Sequence, residues 1–185
     1  APAAAAAPAG AVAGAPGAES SPAPEAAPKP RKPERSSVYM HGPPGTGKTM
    51  LLDLFVDHAG EVGLRVRRMH FYEFMLDVHA KMHNMHKERP VEVAANTIAD
   101  EVDVLCFDEL QISDIQDASI LPRIFEVLFL RGVIVVATSN TSPQLLYSGG
   151  LNRHVHLPAF ISLLADYCMV LGLGSGGNAV DYRRR

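Results

Sequence analysis

The sequence has few of the features that mark secreted, membrane-spanning or nucleic-acid-binding proteins. Its two cysteines, Cys106 and Cys168, each lie in an apolar run, which is typical of reduced core residues in an intracellular protein. Its 17 Lys and Arg residues against 20 Asp and Glu residues give a formal net charge of −3, so no basic field favours nucleic acid. No apolar run reaches the length of a membrane span.

Large apolar side chains are scarce at the N-terminal end. Residues 1–35 are mostly Ala, Pro and Gly. Such a segment cannot offset its ordering entropy by burial, and its prolines interrupt any helix, so we expect a disordered extension. It also lacks the Arg-rich amphipathic pattern of a transit peptide. We expect one folded domain over residues 36–185, and the missing initiator Met predicts a processed or partial chain.

The most informative stretch covers residues 41–49, which read His-Gly-Pro-Pro-Gly-Thr-Gly-Lys-Thr. It has the G-x-x-x-x-G-K-[ST] form of the loop that wraps the phosphates of a nucleoside triphosphate. Its glycines let the backbone turn tightly and bring N–H groups against the anion. The residues predicted to contact the nucleotide are Gly42, Pro43, Pro44, Gly45, Thr46, Gly47, Lys48, Thr49 and Met50.

The residues around this loop favour a phosphate site over an ordinary Gly/Pro turn. A short strand is predicted over 37–40 and a helix from Met50 to Phe55, so the order is strand, loop, helix. The positive end of that helix would face the phosphates. We expect Lys48 to place its charge on the β- and γ-phosphates and the Thr49 hydroxyl to bind Mg²⁺.

Strands and helices continue to alternate after the loop. The apolar pattern predicts further strands over 64–70, 102–107, 132–138 and 168–171, and helices over 71–87, 91–100, 120–130 and 158–166. Five strands separated by helices predict an α/β fold with a five-stranded parallel sheet and helices on both faces.

Two acids follow the predicted strand over 102–107. Asp108 and Glu109 would lie at the carboxyl end of that strand, where open α/β sheets place their ligands. We expect Asp108 to hold Mg²⁺ through its water shell and Glu109 to act as a general base on the attacking water. The alternative is a pair of solvated strand-end acids, and the loop upstream favours the functional interpretation.

The next strand ends in Thr138-Ser139-Asn140. Asn140 carries both a donor and an acceptor, so it can position a water between the acids and the γ-phosphate. Such polar strand ends are also common helix N-caps, and Ser142 before Pro143 fits that role. Together with the two earlier motifs, the sequence favours the water-positioning role for Asn140.

These motifs, in this order, resemble an AAA+ ATPase, and other runs resemble one group within it, the ATPase-family-gene-1-like proteins. The resemblance covers the chain from residue 36 onward. The runs that carry it are residues 70–79, 102–121, 137–140, 146–153, 157–164 and 181–183.

The resemblance implies an oligomeric, ring-forming ATPase that uses ATP and Mg²⁺ to remodel or extract protein clients at an inner membrane. It implies mitochondrial protein quality control or, in bacteria, cell division in the cytoplasm. Arg153 matches the position of an arginine finger that reaches a neighbouring subunit's site. From the residues alone, Arg153 could equally be a surface salt-bridge partner.

The sequence departs from that group in three respects. The stretch over 172–179 predicts a looser and longer turn than the group's acid-containing turn. Pro44 stands where the group more often has Val, which leaves phosphate binding intact. The group's C-terminal helical lid is expected to follow the chain rather than lie within it, so ATP binding is better supported than hydrolysis. The alternatives are an ATP-binding adaptor with little turnover, a helicase-loader-like protein acting on nucleic acid, and, least favoured, a small-molecule kinase.

Two weaker patterns lie in the predicted helix over 71–87. His79, His83 and His86 share one flank, but no acid completes a metal-ligand set at the right spacing. Phe71, Tyr72 and Phe74 follow a strand where AAA+ rings carry a client-gripping loop. A core role for these aromatic residues is the favoured alternative.

Overall fold

The computed structural model describes residues 35–83 and 88–174. The predicted disordered extension, apart from Arg35, lies outside the described residues, as do His86 and the family-like run over 181–183. Within the described part, at least one helix lies between each strand and the next. The elements are β1 Ser37–His41, α1 Lys48–Glu61, β2 Val66–His70, α2 Phe71–His83, α3 Pro90–Glu101, β3 Val104–Asp108, α4 Ile115–Leu130, β4 Ile134–Ser139, a 3-10 turn Pro143–Leu145, α5 Arg153–Tyr167 and β5 Cys168–Gly172.

The strands of the described residues form one five-stranded parallel sheet in the order β2-β3-β4-β1-β5. The predicted sheet is therefore confirmed. Strand β4 lies between β1 and β3, because Met40 pairs with Thr138 and Phe107 pairs with Ala137. The carboxyl ends of β1, β4 and β3 consequently lie side by side at one edge of the sheet.

Helices cover both faces of this sheet. On one face, α1 packs Leu52 against a small cluster that includes Met40, Cys106 and Val136. On the other, α2 to α5 bury a larger core in which Phe74 and Phe107 lie 4.8 Å apart, and Phe125 and Phe160 4.9 Å apart. Aromatic pairs of this kind contribute about 0.5–1.5 kcal/mol each beyond the area they bury.

Both cysteines lie in the core, as their apolar surroundings in the sequence predict. Cys106 and Cys168 are both buried and unpaired. Burial raises the pKa of Cys106 to about 11 and that of Cys168 to about 12. Among the described residues, no helix is both long enough and apolar enough to cross a bilayer.

Two helices begin five residues before the predicted start. Helix α4 begins at Ile115 because Asp114 caps it, its carboxylate accepting a hydrogen bond from the Gln116 N–H at 2.6 Å. Helix α5 begins at Arg153. The predictions placed Pro122 and Pro158 near a helix start, where proline is favoured, but both lie inside their helices. Burial of neighbouring apolar side chains outweighs the backbone hydrogen bond that each proline removes.

Candidate nucleotide-binding site

The loop between β1 and α1 depends on its glycines. Gly42 has φ 156°, and a Cβ at this position would lie 2.1 Å from the Leu173 carbonyl oxygen. Gly47, directly before α1, has φ 83° in the left-handed region. Neither position accommodates a side chain without strain. The loop therefore passes close to the end of β5 before it enters α1.

Lys48 is held inside this loop. Its Nζ donates hydrogen bonds to the carbonyl oxygens of Gly42 at 2.7 Å and Pro43 at 2.9 Å, and only 8% of the residue is exposed. A buried ammonium group needs such acceptors because its desolvation is costly. The charge of Lys48 therefore lies at the centre of the loop.

Asp108, at the end of β3, contacts side chains from both α1 and β4. Its Oδ1 accepts hydrogen bonds from the Thr138 hydroxyl at 3.0 Å and, more weakly, from the Thr49 hydroxyl at 3.4 Å. Thr49 comes from α1, Thr138 from β4 and Asp108 from β3. Carboxylate and hydroxyl oxygens are hard donors of the kind Mg²⁺ prefers. The oxygens of Asp108 and Thr49 thus fit a magnesium ion at the edge of the cleft.

Glu109 has an uncommon backbone conformation, with φ 58°. Its N–H donates to the Thr138 hydroxyl at 3.0 Å, and the next N–H, of Leu110, donates to the Thr138 carbonyl at 2.6 Å. The Asn140 side-chain amide lies 3.5 Å from Glu109 Oε1. A left-handed glutamate persists only where its surroundings hold it, and here β4 supplies those contacts.

The Tyr39 side chain holds the turn that carries Asn140. The Tyr39 hydroxyl donates to the Thr141 carbonyl at 2.9 Å, and the residue is fully buried. Burial raises the pKa of Tyr39 to about 12. This contact ties the end of β4 to β1, beside the phosphate loop.

Arg68 is a site residue that the sequence interpretation missed. Its Nη2 donates to Asp108 Oδ2 at 3.1 Å, and its Nη1 pairs with Asp53 of α1. Burial alone would lower the pKa of Arg68, but the hydrogen bond to Asp108 and the charge of Asp53 raise it above the ordinary value. The alternation of the second strand could have signalled this residue, since Arg67 and Arg68 must point to opposite faces.

Most of the phosphate loop, the acid pair Asp108 and Glu109, and the end of β4 line one cleft of about 810 Å³. That volume lies within the range of cofactor-sized sites. Gly42 and Pro43 do not line the cleft but hold Lys48 with their carbonyls. The lining residues are Pro44, Gly45, Thr46, Gly47, Lys48, Thr49, Met50, Leu51, Asp108, Glu109, Thr138, Ser139 and Asn140.

Comparison with known proteins agrees with this geometry. The model of the AFG1-like ATPase family matches residues 20–185. The chain belongs to the AFG1-like ATPase family. The resemblance drawn from the sequence runs is therefore confirmed.

Curated relatives of this AFG1-like chain come from vertebrates and bacteria. Lactation elevated protein 1 homolog B of Danio rerio is 43% identical over 159 residues, covering 80% of this chain and 30% of that protein. Cell division protein ZapE of Escherichia coli is 44% identical over 149 residues, covering 80% of this chain and 38% of that protein. The chain thus spans about a third of the length of these relatives.

Solved structures support the same fold. Domain III of the replication initiation protein DnaA from Thermotoga maritima superposes with a TM-score of 0.59 at 22% identity, covering 77% of this chain and 56% of that one. At this identity the match shows the fold alone. The AFG1-like chain has the P-loop α/β fold of AAA+ type.

Arg153 of this AFG1-like chain does not line the cleft. It is the first residue of α5, and its Nε donates to the Leu146 carbonyl at 3.0 Å while its Nη2 contacts the Gln144 carbonyl. No ion pair of Arg153 with a carboxylate occurs within residues 35–83 and 88–174, whose salt bridges involve other side chains. The predicted role on a neighbouring subunit requires this separation from the chain's own cleft.

The structure shows where the histidines and the aromatic residues of the two weaker sequence patterns lie. His79 pairs with Asp117 at 2.8 Å, and the described residues contain no group of three or more His, Cys, Asp or Glu able to hold a metal. Phe71 and Phe74 are buried in the core, whereas 68% of Tyr72 is exposed. The core role applies to the two phenylalanines but not to Tyr72.

Proposed function

We propose that this chain binds ATP with Mg²⁺ in the 810 Å³ cleft and hydrolyses it. The observation that carries the proposal is the convergence of three strand ends. The loop after β1 brings Lys48, β3 brings Asp108 and Glu109, and β4 brings Asn140 to one cleft. A phosphate cradle, metal ligands and a water-activating acid are the parts that phosphoryl transfer to water requires.

The loop would hold the phosphates. Its N–H groups and the start of α1 offer partial positive charge. In the present arrangement Lys48 Nζ binds the carbonyls of Gly42 and Pro43, so we expect the ammonium group to exchange a carbonyl for phosphate oxygen when ATP enters. Binding by Lys48 neutralises charge on the β- and γ-phosphates.

Thr49 and Asp108 would hold the Mg²⁺ ion. Bound Mg²⁺ neutralises charge that develops on the phosphate oxygens during cleavage. The chain's part is to present oxygen donors without rearrangement. Asp108 is already oriented by the Thr138 hydroxyl at 3.0 Å, and Thr49 lies 3.4 Å from the same carboxylate oxygen.

Glu109 and Asn140 would prepare the attacking water. Glu109 accepts the proton of that water as a general base, and Asn140 orients the water through its amide group. The two side chains lie 3.5 Å apart at the mouth of the cleft. A site that only binds phosphate does not need this pair, so the presence of Glu109 and Asn140 favours hydrolysis.

A second copy of the chain would complete the active site. Exposed apolar side chains lie close to Arg153 in the sequence, with Leu145 57%, Leu151 69% and Val155 61% exposed. Contact between that surface and the cleft of a neighbour is a head-to-tail interface, which forms a ring when the rotation between subunits closes. In such a ring Arg153 would stabilise transition-state charge in the adjacent cleft.

The work that hydrolysis drives is a finer proposal. Family membership favours remodelling of protein clients at a membrane, and the exposed Tyr72 is the candidate for client contact. The Ala/Pro-rich N-terminal residues favour a mitochondrial location, with a bacterial-type cytoplasmic location as the alternative.

An ATP-binding adaptor without turnover is the rival function. The net charge of −3 disfavours nucleic-acid binding. A salt-dependent affinity for DNA would support that function.

The test compares nucleotide binding with turnover in three variants. Glu109→Gln should bind ATP as the wild type does but lose about 10²–10⁴-fold in turnover, the usual contribution of a general base. Lys48→Ala should lose binding itself. Lys81→Ala, whose side chain pairs with Asp77 outside the cleft, should change neither. Wild-type binding without turnover at any protein concentration would favour the adaptor.

A further inference from the structure

Arg67 and Arg68 are adjacent on β2 but serve opposite faces of the sheet. Arg68 is in register with Cys106, which packs on the α1 side, and Arg67 is in register with Leu105, which packs in the larger core. Arg67 pairs with Asp77 at 2.9 Å and with Glu101 at 3.5 Å. Of the two, only Arg68 contacts Asp108, which lines the nucleotide cleft.

The guanidinium of Arg68 is shared between two carboxylates. Nη2 donates to Asp108 Oδ2 at 3.1 Å, and Nη1 pairs with Asp53 Oδ1. Asp53 lies one turn beyond Thr49 on α1. A single cation thus joins the helix that carries Thr49 to the strand that carries Asp108.

The two oxygens of Asp108 have different partners. Oδ1 accepts from Thr138 at 3.0 Å and Thr49 at 3.4 Å, whereas Oδ2 accepts from Arg68. If Arg68 were removed, Thr138 would still orient the carboxylate. Removing Arg68 would therefore remove positive charge beside Asp108 without changing the orientation of its carboxylate.

We propose that Arg68 is a counter-charge that sets the Mg²⁺ affinity of the site, and that Asp53 limits its effect. This inference rests on the proposed binding of ATP with Mg²⁺. Arg68 offsets part of the negative charge that Asp108 presents to a metal ion, which lowers the affinity for Mg²⁺. Asp53 attracts the same guanidinium toward α1. Asp53 therefore reduces the positive charge that Arg68 presents to Asp108.

This arrangement predicts opposite effects for the two partners. Arg68→Met leaves the site more negative, so Mg²⁺ should bind more tightly. Asp53→Asn leaves Arg68 with Asp108 as its charged partner, so Mg²⁺ should bind more weakly. Because these groups are partly exposed, we expect shifts of about fivefold rather than the much larger values of a dry interior.

The experiment is a titration of the full chain with Mg²⁺ in the presence of a fluorescent ATP analogue carrying a methylanthraniloyl group. The Mg²⁺ concentration at half-saturation should fall about fivefold in Arg68→Met and in Arg68→Gln, and rise about fivefold in Asp53→Asn. Arg68→Lys keeps a charge and should stay closer to the wild type than Arg68→Met. Arg67→Met is the matched control and should match the wild type.

Opposite shifts separate a charge effect from structural damage. If Arg68→Met and Asp53→Asn both raise the half-saturation concentration, the pair only holds α1 to the sheet and the inference is wrong. Equal values in all variants would also overturn it. A wild-type chain that does not bind the analogue would overturn the proposed function instead, so the two failures are distinguishable.

Discussion

The hydroxyl of Thr138 donates a hydrogen bond to Asp108 Oδ1 over 3.0 Å. The same hydroxyl accepts the N–H of Glu109, also at 3.0 Å. One buried side chain of β4 therefore orients the carboxylate of the first acid and the backbone of the second. The sheet order makes this possible, because β4 lies directly beside β3.

Thr138→Val should lower ATP turnover by about tenfold, since it keeps the shape of the side chain but removes both hydrogen bonds, at about 1–2 kcal/mol. Thr138→Ser keeps the hydroxyl and serves as the matched control. Steady-state hydrolysis at saturating ATP measures the difference. Equal rates for the Val and Ser variants would show that the hydroxyl does not position the acids.

Gly42→Ala should destabilise the fold by more than about 2 kcal/mol, because its Cβ would lie 2.1 Å from the backbone oxygen of Leu173. Gly60→Ala is the matched control. It lies within α1, and a Cβ there meets nothing within 4 Å. It should gain up to about 1 kcal/mol from helix propensity. Urea unfolding of both variants tests this pair, and similar stabilities would contradict it.

Glu109→Gly should be more stable than Glu109→Gln by about 1 kcal/mol, because glycine tolerates φ 58° without the strain of a side chain. Both variants remove the same charge, so their difference isolates the backbone. Both should also lack turnover. A glycine variant that unfolds at lower urea concentration than the glutamine variant would show that the left-handed conformation is not strained.

Arg153→Ala should leave ATP binding unchanged and reduce turnover by about 10³-fold, the lower end of the range for an arginine finger. If a neighbour completes the site, as proposed, the wild-type hydrolysis rate per chain should rise with protein concentration. Arg123→Ala, which breaks a surface pair with Glu92, is the control. A rate per chain that is independent of concentration and of Arg153 would rule out a shared site.

The strand pattern predicted the sheet and its parallel strands, and it was less accurate on where helices begin. The starts of α4 and α5 depend on Asp114 capping and on burial of the turns before Pro122 and Pro158. The local rule favours proline in a first turn and so predicts helix starts close to Pro122 and Pro158. Tertiary packing outweighed that rule in both helices.

The sequence by itself determined the phosphate loop and the acid pair, because those motifs are contiguous and their residue types are required by local backbone geometry. The roles assigned to Lys48, Thr49, Asp108, Glu109, Asn140 and Arg153 remain predictions. The tertiary structure alone decided that β4 separates β1 from β3, that Thr138 bonds to both acids, and that Arg68 rather than Arg67 reaches Asp108. The Thr138 and Arg68 contacts join residues 29 to 40 positions apart, and strand order and register bring them together.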